Sequence, residues 1–271
     1  MQRTVFFISD GTAITTETVG HSLLTQFPGA SYVQVRLPFV DDPDKARAAA
    51  AQLDEASRKD GAPAIAFISI IDEETRAVLQ SSSAITIDLF ADFMDRLEAA
   101  LNVQRESTVG RAHGVANSQR YEDRIEATHY ALTHDDGISL SYENADLILV
   151  GVSRSGKTPT CLYMALNFGV KAANYPLTET DLENQRLPGS LKPAKSKIVG
   201  LMIDADRLAQ IRETRRPGSR YASLRQCHWE VDAAESLLRA EGIEIIHSTH
   251  SSIEEIASRI LMKLGLQREK F

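Results

Sequence analysis

The chain has 271 residues, of which 43% are hydrophobic, and its formal net charge is −7. This length is typical of about two domains, and the apolar content is enough to fill a core in each. An acidic chain lacks the extended basic surface that polynucleotides and anionic membranes attract, so the composition argues against both partners. No apolar run approaches the roughly 20 residues that span a bilayer, and no signal pattern precedes the first apolar segment, so we expect a cytoplasmic protein.

The first hundred residues alternate between patterns typical of strands and of helices. The patterns predict strands at residues 4–9, 31–37, 64–71 and 84–88, and a helix at 89–101. Val19, Leu23 and Phe27 recur at the spacing of one helix face, while Asp42 and Pro43 provide an N-cap and a proline at the first helical position. This alternation predicts βαβ units that form a parallel sheet with helices on both faces.

The second half contains a phosphate-binding motif. The run Gly151-Val152-Ser153-Arg154-Ser155-Gly156-Lys157-Thr158 fits the Walker A pattern at every fixed position. An apolar strand pattern precedes it and a helical pattern follows it, which is the order that the motif requires. In such a loop the backbone N–H groups and the helix N-terminus point at phosphate oxygens. Lys157 adds a catalytic positive charge, and the hydroxyl of Thr158 is a candidate ligand for Mg²⁺. The alternative is a glycine-rich turn before a helix.

The flanking patterns complete a second α/β domain. A polar helix is predicted at 117–133, and strands are predicted at 145–150, 170–175, 197–203 and 243–247. Ser252 and Glu255 form a capping box for a last helix that extends to residue 264. We therefore predict an N-terminal parallel-sheet βαβ domain over residues 1–104. A P-loop kinase-like α/β domain with an arginine-rich lid follows over 105–271, and its connecting segment covers 105–140.

Two aspartates outside the P-loop are candidate general bases. Asp10 follows the first strand, and in a doubly wound sheet ligands bind outside the carboxyl ends of the strands. Asp135, in the run His134-Asp135-Asp136-Gly137, precedes the Walker strand and could orient Mg²⁺ or accept a proton. Each has a structural alternative, because Asp10 or Thr12 could cap a helix and Asp-Asp-Gly is a common turn.

A basic tract follows the predicted strand at 197–203. It consists of Arg207, Arg212, Arg215, Arg216, Arg220 and Arg225. Arginines bind phosphate oxygens and stabilise the charge of a transferring phosphoryl group, so the tract resembles the lid of nucleoside-phosphate kinases. Arg207 and Arg212 could instead solvate a helix face. Asp204, which ends the strand, is a candidate Walker B acid.

Five segments taken together resemble the phosphoenolpyruvate synthase regulatory protein family. They are ISDGTAIT at 8–15, HDDG at 134–137, GVSRSGKTPT at 151–160, AANYP at 172–176 and SRYASLRQC at 219–227. The sister branch, which acts on pyruvate, phosphate dikinase, carries a serine in place of the second P-loop glycine. Gly156 and the loop at 11–15 look like the phosphoenolpyruvate synthase branch instead.

The resemblance implies a bifunctional enzyme whose partner is phosphoenolpyruvate synthase (pyruvate, water dikinase). One activity is an ADP-dependent serine/threonine kinase that inactivates this target, and the other is an orthophosphate-dependent pyrophosphorylase that removes the same phosphate. Residues 151–158 are then the ADP site. The target threonine, a homo-oligomeric state and a requirement for a target phosphohistidine stay open.

Two other functions fit the same motifs. An ordinary ATP-dependent P-loop kinase of a small metabolite would show turnover with a small acceptor and would need no protein partner. A nucleotide-gated binding protein would bind ADP without transferring a phosphoryl group.

Overall fold

The computed structural model describes residues 2–104, 118–137 and 141–265. The chain divides into two compact units, Met1–Gly114 and Val115–Phe271. The predicted boundary between residues 104 and 105 falls at the edge of the described residues, and the predicted connecting segment at 105–140 is described over 118–137. The exact boundary therefore stays a prediction.

Strands and helices alternate in the first unit. They are β1 (Gln2–Ser9), α1 (Ile14–Leu24), β2 (Ser31–Leu37), α2 (Pro43–Asp60), β3 (Ile65–Ser69), α3 (Glu73–Gln80), β4 (Ile85–Asp88) and α4 (Ala91–Leu101). The strands pair in the order β2-β1-β3-β4, and every pairing is parallel. Asp42 caps α2 by accepting a hydrogen bond from the backbone N–H of Lys45 at 2.8 Å. The predicted parallel sheet and the predicted cap are confirmed.

Helix α1 exists, but its buried face is not the one that the apolar spacing indicated. Val19 and Leu23 are 39% and 47% exposed, whereas Gly20 is buried against the sheet. A Cβ atom on Gly20 would lie 2.5 Å from the ring of Phe7 and 2.9 Å from that of Phe67. The helix therefore approaches the sheet through its smallest residue, and larger apolar side chains on that face would hold it away.

The second unit repeats the alternation. Its elements are α5 (Ser118–Thr133), β5 (Leu147–Gly151), α6 (Lys157–Phe168), β6 (Ala172–Pro176), α7 (Glu179–Asn184), β7 (Ile198–Met202), α8 (Ala205–Arg215), α9 (Leu224–Ala240), β8 (Ile245–His247) and α10 (Ile253–Leu264). Short 3-10 helices cover Lys192–Lys197 and Arg220–Ala222. The strand order is β6-β5-β7-β8, again with parallel pairing throughout.

Strand β5 lies at the centre of this second sheet and is buried along its whole length. Apolar clusters cover both faces of the sheet, as expected when helices pack on each side of a parallel sheet. From β5 the chain first pairs β6 on one side and later β7 on the other, so the strand order reverses beside β5. Ligands of doubly wound folds bind at the carboxyl ends of the strands at such a point.

The α/β class predicted for both halves is confirmed. No helix within the described ranges is long and apolar enough to cross a membrane.

Candidate functional site

The Walker A run forms the connection from β5 to α6, and its backbone is tightly constrained. A Cβ atom on Gly151 would lie 2.2 Å from the carbonyl oxygen of Leu201 on β7, so only glycine fits there. Gly156 has a φ of 96°, a conformation that glycine adopts without strain. Arg154 also has a positive φ, 77°, which is uncommon for a residue with a side chain.

Several polar groups of this loop are arranged for an anion. Helix α6 begins at Lys157, its N-cap is Gly156, and no side chain caps it. The N–H groups of its first turn therefore lack an intrahelical acceptor. The buried hydroxyl of Ser155 also has no hydrogen-bond partner within the described ranges. A phosphate group offers acceptors to both, so the loop fits the nucleotide phosphates that the motif predicts.

Lys157 is buried beside this loop. It is only 4% exposed, and its Nζ donates a hydrogen bond to the carbonyl oxygen of Val152 at 2.9 Å. Burial lowers the pKa of Lys157 to about 8, although the negative charges of Asp136 and Asp135 oppose this shift. The ammonium group is therefore poorly solvated, and a phosphate would supply the counter-charge that it lacks.

Asp135 and Thr158, which are far apart in sequence, meet at the start of α6. The hydroxyl of Thr158 donates to Oδ1 of Asp135 at 2.8 Å. The side-chain amide of Asn174 donates to the same carboxylate oxygen and, at 3.2 Å, to the hydroxyl of Thr158. The structure thus brings the predicted metal ligand and one predicted base together with the P-loop.

Asn174 fixes the turn that carries Asp135. Its Oδ1 accepts a hydrogen bond from the backbone N–H of Asp136 at 2.9 Å. The backbone N–H of Asn174 donates to the carbonyl oxygen of His134 at 3.1 Å. Asp136 and Gly137 have φ values of 49° and 72°, so the Asp-Asp-Gly run is also a turn. The run can therefore form a turn and place the Asp135 carboxylate beside the P-loop at the same time.

Asn174 is a residue of this site for which the sequence predicted no role. It is 1% exposed and lies on β6, one of the two strands that flank β5. A buried side-chain amide needs hydrogen-bond partners. The polar Asn174 within a short apolar strand pattern was therefore the one sign in the sequence of a hydrogen-bonding role.

The arginine tract is distributed over α8, its C-cap residue Arg216, the 3-10 helix at 220–222 and α9. Arg212 is fully buried, and its guanidinium forms an ion pair with Glu230 at 2.7 Å. Both expectations for Arg212, a phosphate contact and a solvated helix face, are therefore wrong, because the side chain points into the core. Arg220 is exposed and lies 3.3 Å from Glu179.

Asp204 follows β7 and occupies the N-cap position of α8. Its side chain is exposed and makes no capping hydrogen bond. Its backbone N–H donates to the hydroxyl of Thr249 at 2.9 Å. Within the described residues Asp204 makes no hydrogen bond to Asp135 or Thr158. Asp135 is therefore the acid of the second unit that is hydrogen-bonded to the P-loop.

Asp10 lies in the first unit, at the carboxyl end of β1. Its Oδ2 accepts a hydrogen bond from the backbone N–H of Ile71 at 2.8 Å. Burial raises the pKa of Asp10 above its ordinary value, against the effect of this hydrogen bond. The N-cap residue of α1 is Ala13, with no side-chain cap, so the capping roles considered for Asp10 and Thr12 are wrong. A catalytic role for Asp10 stays a prediction.

The described ranges contain no group of three or more His, Cys, Asp or Glu side chains that could hold a metal ion. Thr158 and Asp135 do supply adjacent hydroxyl and carboxylate oxygens. In phosphate sites Mg²⁺ commonly takes one or two protein oxygens and completes its shell with phosphate and water. The pair therefore fits a Mg²⁺ ion that arrives with a nucleotide.

Comparison with known proteins identifies close relatives. The kinase/pyrophosphorylase family matches residues 5–261 of this chain. A Stenotrophomonas maltophilia (strain K279a) protein named "Putative phosphoenolpyruvate synthase regulatory protein" is 52% identical over 269 residues, which cover 99% of this chain and 98% of that protein. Proteins of the same name from Pseudomonas aeruginosa (strain LESB58) and Xanthomonas campestris pv. campestris (strain B100) are 52% and 51% identical, with the same coverage. These matches confirm the resemblance found in the five segments.

Proposed function

Because the chain belongs to the kinase/pyrophosphorylase family, we propose that it regulates phosphoenolpyruvate synthase through two opposing reactions. In the first, ADP phosphorylates a threonine of the synthase and inactivates it. In the second, orthophosphate removes that phosphoryl group as pyrophosphate and restores activity. The observation that carries the proposal is the hydrogen bond between Thr158 and Asp135, which sets a carboxylate at the edge of a phosphate-binding loop.

The loop at 151–158 binds ADP through its backbone N–H groups and the uncapped N-terminus of α6. The Lys157 ammonium neutralises the phosphoryl group that moves, and its burial strengthens that interaction because little water competes. Thr158, oriented by its hydrogen bond to Asp135, would hold Mg²⁺, and the ion would supply further neutralisation of the phosphate oxygens.

Asp135 also acts as the general base in the kinase direction. The bond between the β-phosphorus and the bridging oxygen of ADP breaks, a bond to the threonine oxygen forms, and AMP leaves. Asp135 accepts the threonine proton. Asn174 orients this carboxylate, because it donates a hydrogen bond to it. Asp10 is the alternative base.

The pyrophosphorylase direction uses the same groups. The bond between phosphorus and the threonine oxygen breaks, a bond to an oxygen of orthophosphate forms, and pyrophosphate leaves. The threonine oxygen regains a proton from Asp135. In both reactions one phosphoryl group moves between threonine and a second phosphate. We therefore place orthophosphate in the subsite of the ADP α-phosphate, with the moving group against Lys157 in each case.

The test is incubation with β-labelled ADP and phosphoenolpyruvate synthase, followed by phosphosite mapping. The proposal expects label on a threonine of the synthase and its release as labelled pyrophosphate when orthophosphate is added. Lys157→Ala is the matched negative control. A parallel incubation uses γ-labelled ATP. Label on a small acceptor from this ATP, without the synthase, would identify a metabolite kinase, and nucleotide binding without label transfer from either nucleotide would identify a nucleotide-gated binding protein. Either result would overturn the proposal.

A further inference from the structure

Arg212 heads the largest fully buried side chains in the described part of the molecule, and it lies directly beneath the P-loop. Its Nη2 donates to the carbonyl oxygen of Ser153 at 3.0 Å and to the carboxylate of Glu230 at 2.7 Å. Its Nη1 donates to the carbonyl oxygen of Tyr221 at 3.1 Å. The guanidinium also stacks on the ring of Tyr221, 4.0 Å from the ring centroid.

A second contact reaches the same P-loop residue. The hydroxyls of Tyr221 and Ser153 are 3.0 Å apart and share a hydrogen bond. Ser153 is therefore held through its carbonyl oxygen by Arg212 and through its side chain by Tyr221. Arg212 and Tyr221 both come from the segment after β7, whose arginine tract predicted a lid.

The peptide between Ser153 and Arg154 is the strained unit of the loop. Because a trans peptide is planar, its C=O and N–H point in opposite directions. The hydrogen bond from Arg212 draws the Ser153 carbonyl toward the core, so the Arg154 N–H points away from the guanidinium. A flip of this peptide plane would rotate ψ of Ser153 and would take φ of Arg154 from 77° to roughly −100°, outside the left-handed region that residues with side chains rarely adopt.

A flip would therefore relieve the strain at φ of Arg154, and the contacts to Ser153 oppose the flip. After a flip, the Ser153 carbonyl would leave Arg212, and the Arg154 N–H would turn toward the guanidinium. The Ser153 carbonyl oxygen would then point to the side of the loop where the Arg154 N–H had been. A carbonyl oxygen there would repel a phosphate.

We infer that Arg212 is a positioning residue that holds the Ser153–Arg154 peptide in its strained orientation, so that the loop presents an N–H group to the phosphates. This inference deepens the proposed function and rests on it for the identity of the ligand. Glu230 compensates the buried positive charge, and Tyr221 supports both the guanidinium and Ser153. A buried ion pair alone is weak grounds for a stabilising role, since apolar residues often replace one without loss.

The test compares Arg212→Lys with the wild-type chain. Lysine keeps a positive charge for Glu230 but lacks the planar fork that reaches two carbonyl oxygens as well. We expect the ADP dissociation constant from calorimetry to rise about tenfold, the difference that a strain of this kind represents. The KM for orthophosphate should rise in parallel, and the melting temperature without ligand should fall, because lysine leaves some of these buried hydrogen bonds unmade.

Arg239→Lys is the matched control, because Arg239 forms an exposed pair with Glu235 at 2.6 Å on α9. It should change neither constant. If Arg212→Lys fails to fold, the double substitution Arg212→Met with Glu230→Gln, which removes both buried charges, takes its place under the same criteria. A folded variant that binds ADP as tightly as the wild-type chain would overturn the inference.

Amide hydrogen exchange over residues 151–158 provides a readout that needs no ligand. Loss of the anchor should speed exchange in this segment and leave α10 unchanged. Unchanged exchange in the loop would contradict the positioning role. A wild-type chain that binds no ADP would refute the proposed function instead, and the exchange measurement would still decide the role of Arg212.

Discussion

Asp135→Asn tests the carboxylate at the edge of the P-loop. Oδ1 of Asp135 accepts hydrogen bonds from Thr158 and Asn174. A side-chain amide oxygen in the same place can accept both, so the substitution preserves the geometry and removes the negative charge. The structural cost is then the difference between charged and neutral hydrogen bonds, about 1 kcal/mol. In a protein of this size such a loss lowers the melting temperature by about 2–4 °C.

The catalytic cost of Asp135→Asn should be larger. General-base assistance contributes about 10²- to 10⁴-fold, so kcat for threonine phosphorylation should fall by that factor at saturating ADP and Mg²⁺. The assay is the initial rate of label transfer from β-labelled ADP, with melting temperature measured in parallel. Asp181→Asn is the control, because Asp181 accepts a comparable hydrogen bond, 2.7 Å long, from the hydroxyl of Thr178 in a capping box. It should lower stability and leave kcat unchanged. A lowered melting temperature with unchanged kcat in Asp135→Asn would refute the assignment of Asp135 as the base.

Four further expectations follow from the same site. Lys157→Ala should lower both activities by a factor equivalent to about 3 kcal/mol or more while the fold persists, and near-normal rates in either assay would contradict the P-loop assignment. ADP affinity should fall as the pH rises through about 8, where Lys157 loses its proton. Calorimetry in two buffers should detect proton uptake on binding near this pH. An affinity that does not change between about pH 7 and about pH 9 would argue against a contact between Lys157 and the phosphates. Asn174→Ala should cost about 1–3 kcal/mol of unfolding free energy, because the N–H of Asp136 loses its acceptor, and should lower kcat more than it raises the KM for ADP; a wild-type kcat would exclude its effect on Asp135. Asp10→Asn should lower kcat if Asp10 is the base, and an altered melting temperature alone would limit it to a structural role.

The sequence predicted the strands and the P-loop because these depend on local chemistry. Buried parallel strands need short apolar runs, and the loop needs glycine where Gly151 meets the backbone of β7 and where Gly156 adopts a positive φ. The capping box of Ser252 and Glu255 was also predicted and is present. Helices α3 and α7 were not predicted, since each is short and lacks a sustained apolar period.

Long-range contacts were beyond the sequence. Nothing local to Asn174 reveals that it lies between Asp135 and Thr158, because those residues are separated from it by 39 and 16 positions. Nothing in the sequence around Arg212 distinguishes it from the exposed arginines of α8. Its burial is favourable because folding brings it against Glu230 and Tyr221. Both residues depend on partners that folding brings together, which a one-dimensional pattern does not encode.

The central claim is that a single P-loop pocket serves both reactions. Initial rates of pyrophosphate formation from the phosphorylated synthase, measured against orthophosphate at several AMP concentrations, test it most directly. If orthophosphate occupies the subsite of the ADP α-phosphate, AMP and orthophosphate claim the same N–H groups of residues 151–158. AMP should then inhibit competitively, with the apparent KM for orthophosphate rising and the maximal rate unchanged. Purely noncompetitive inhibition would contradict the claim and indicate two separate sites.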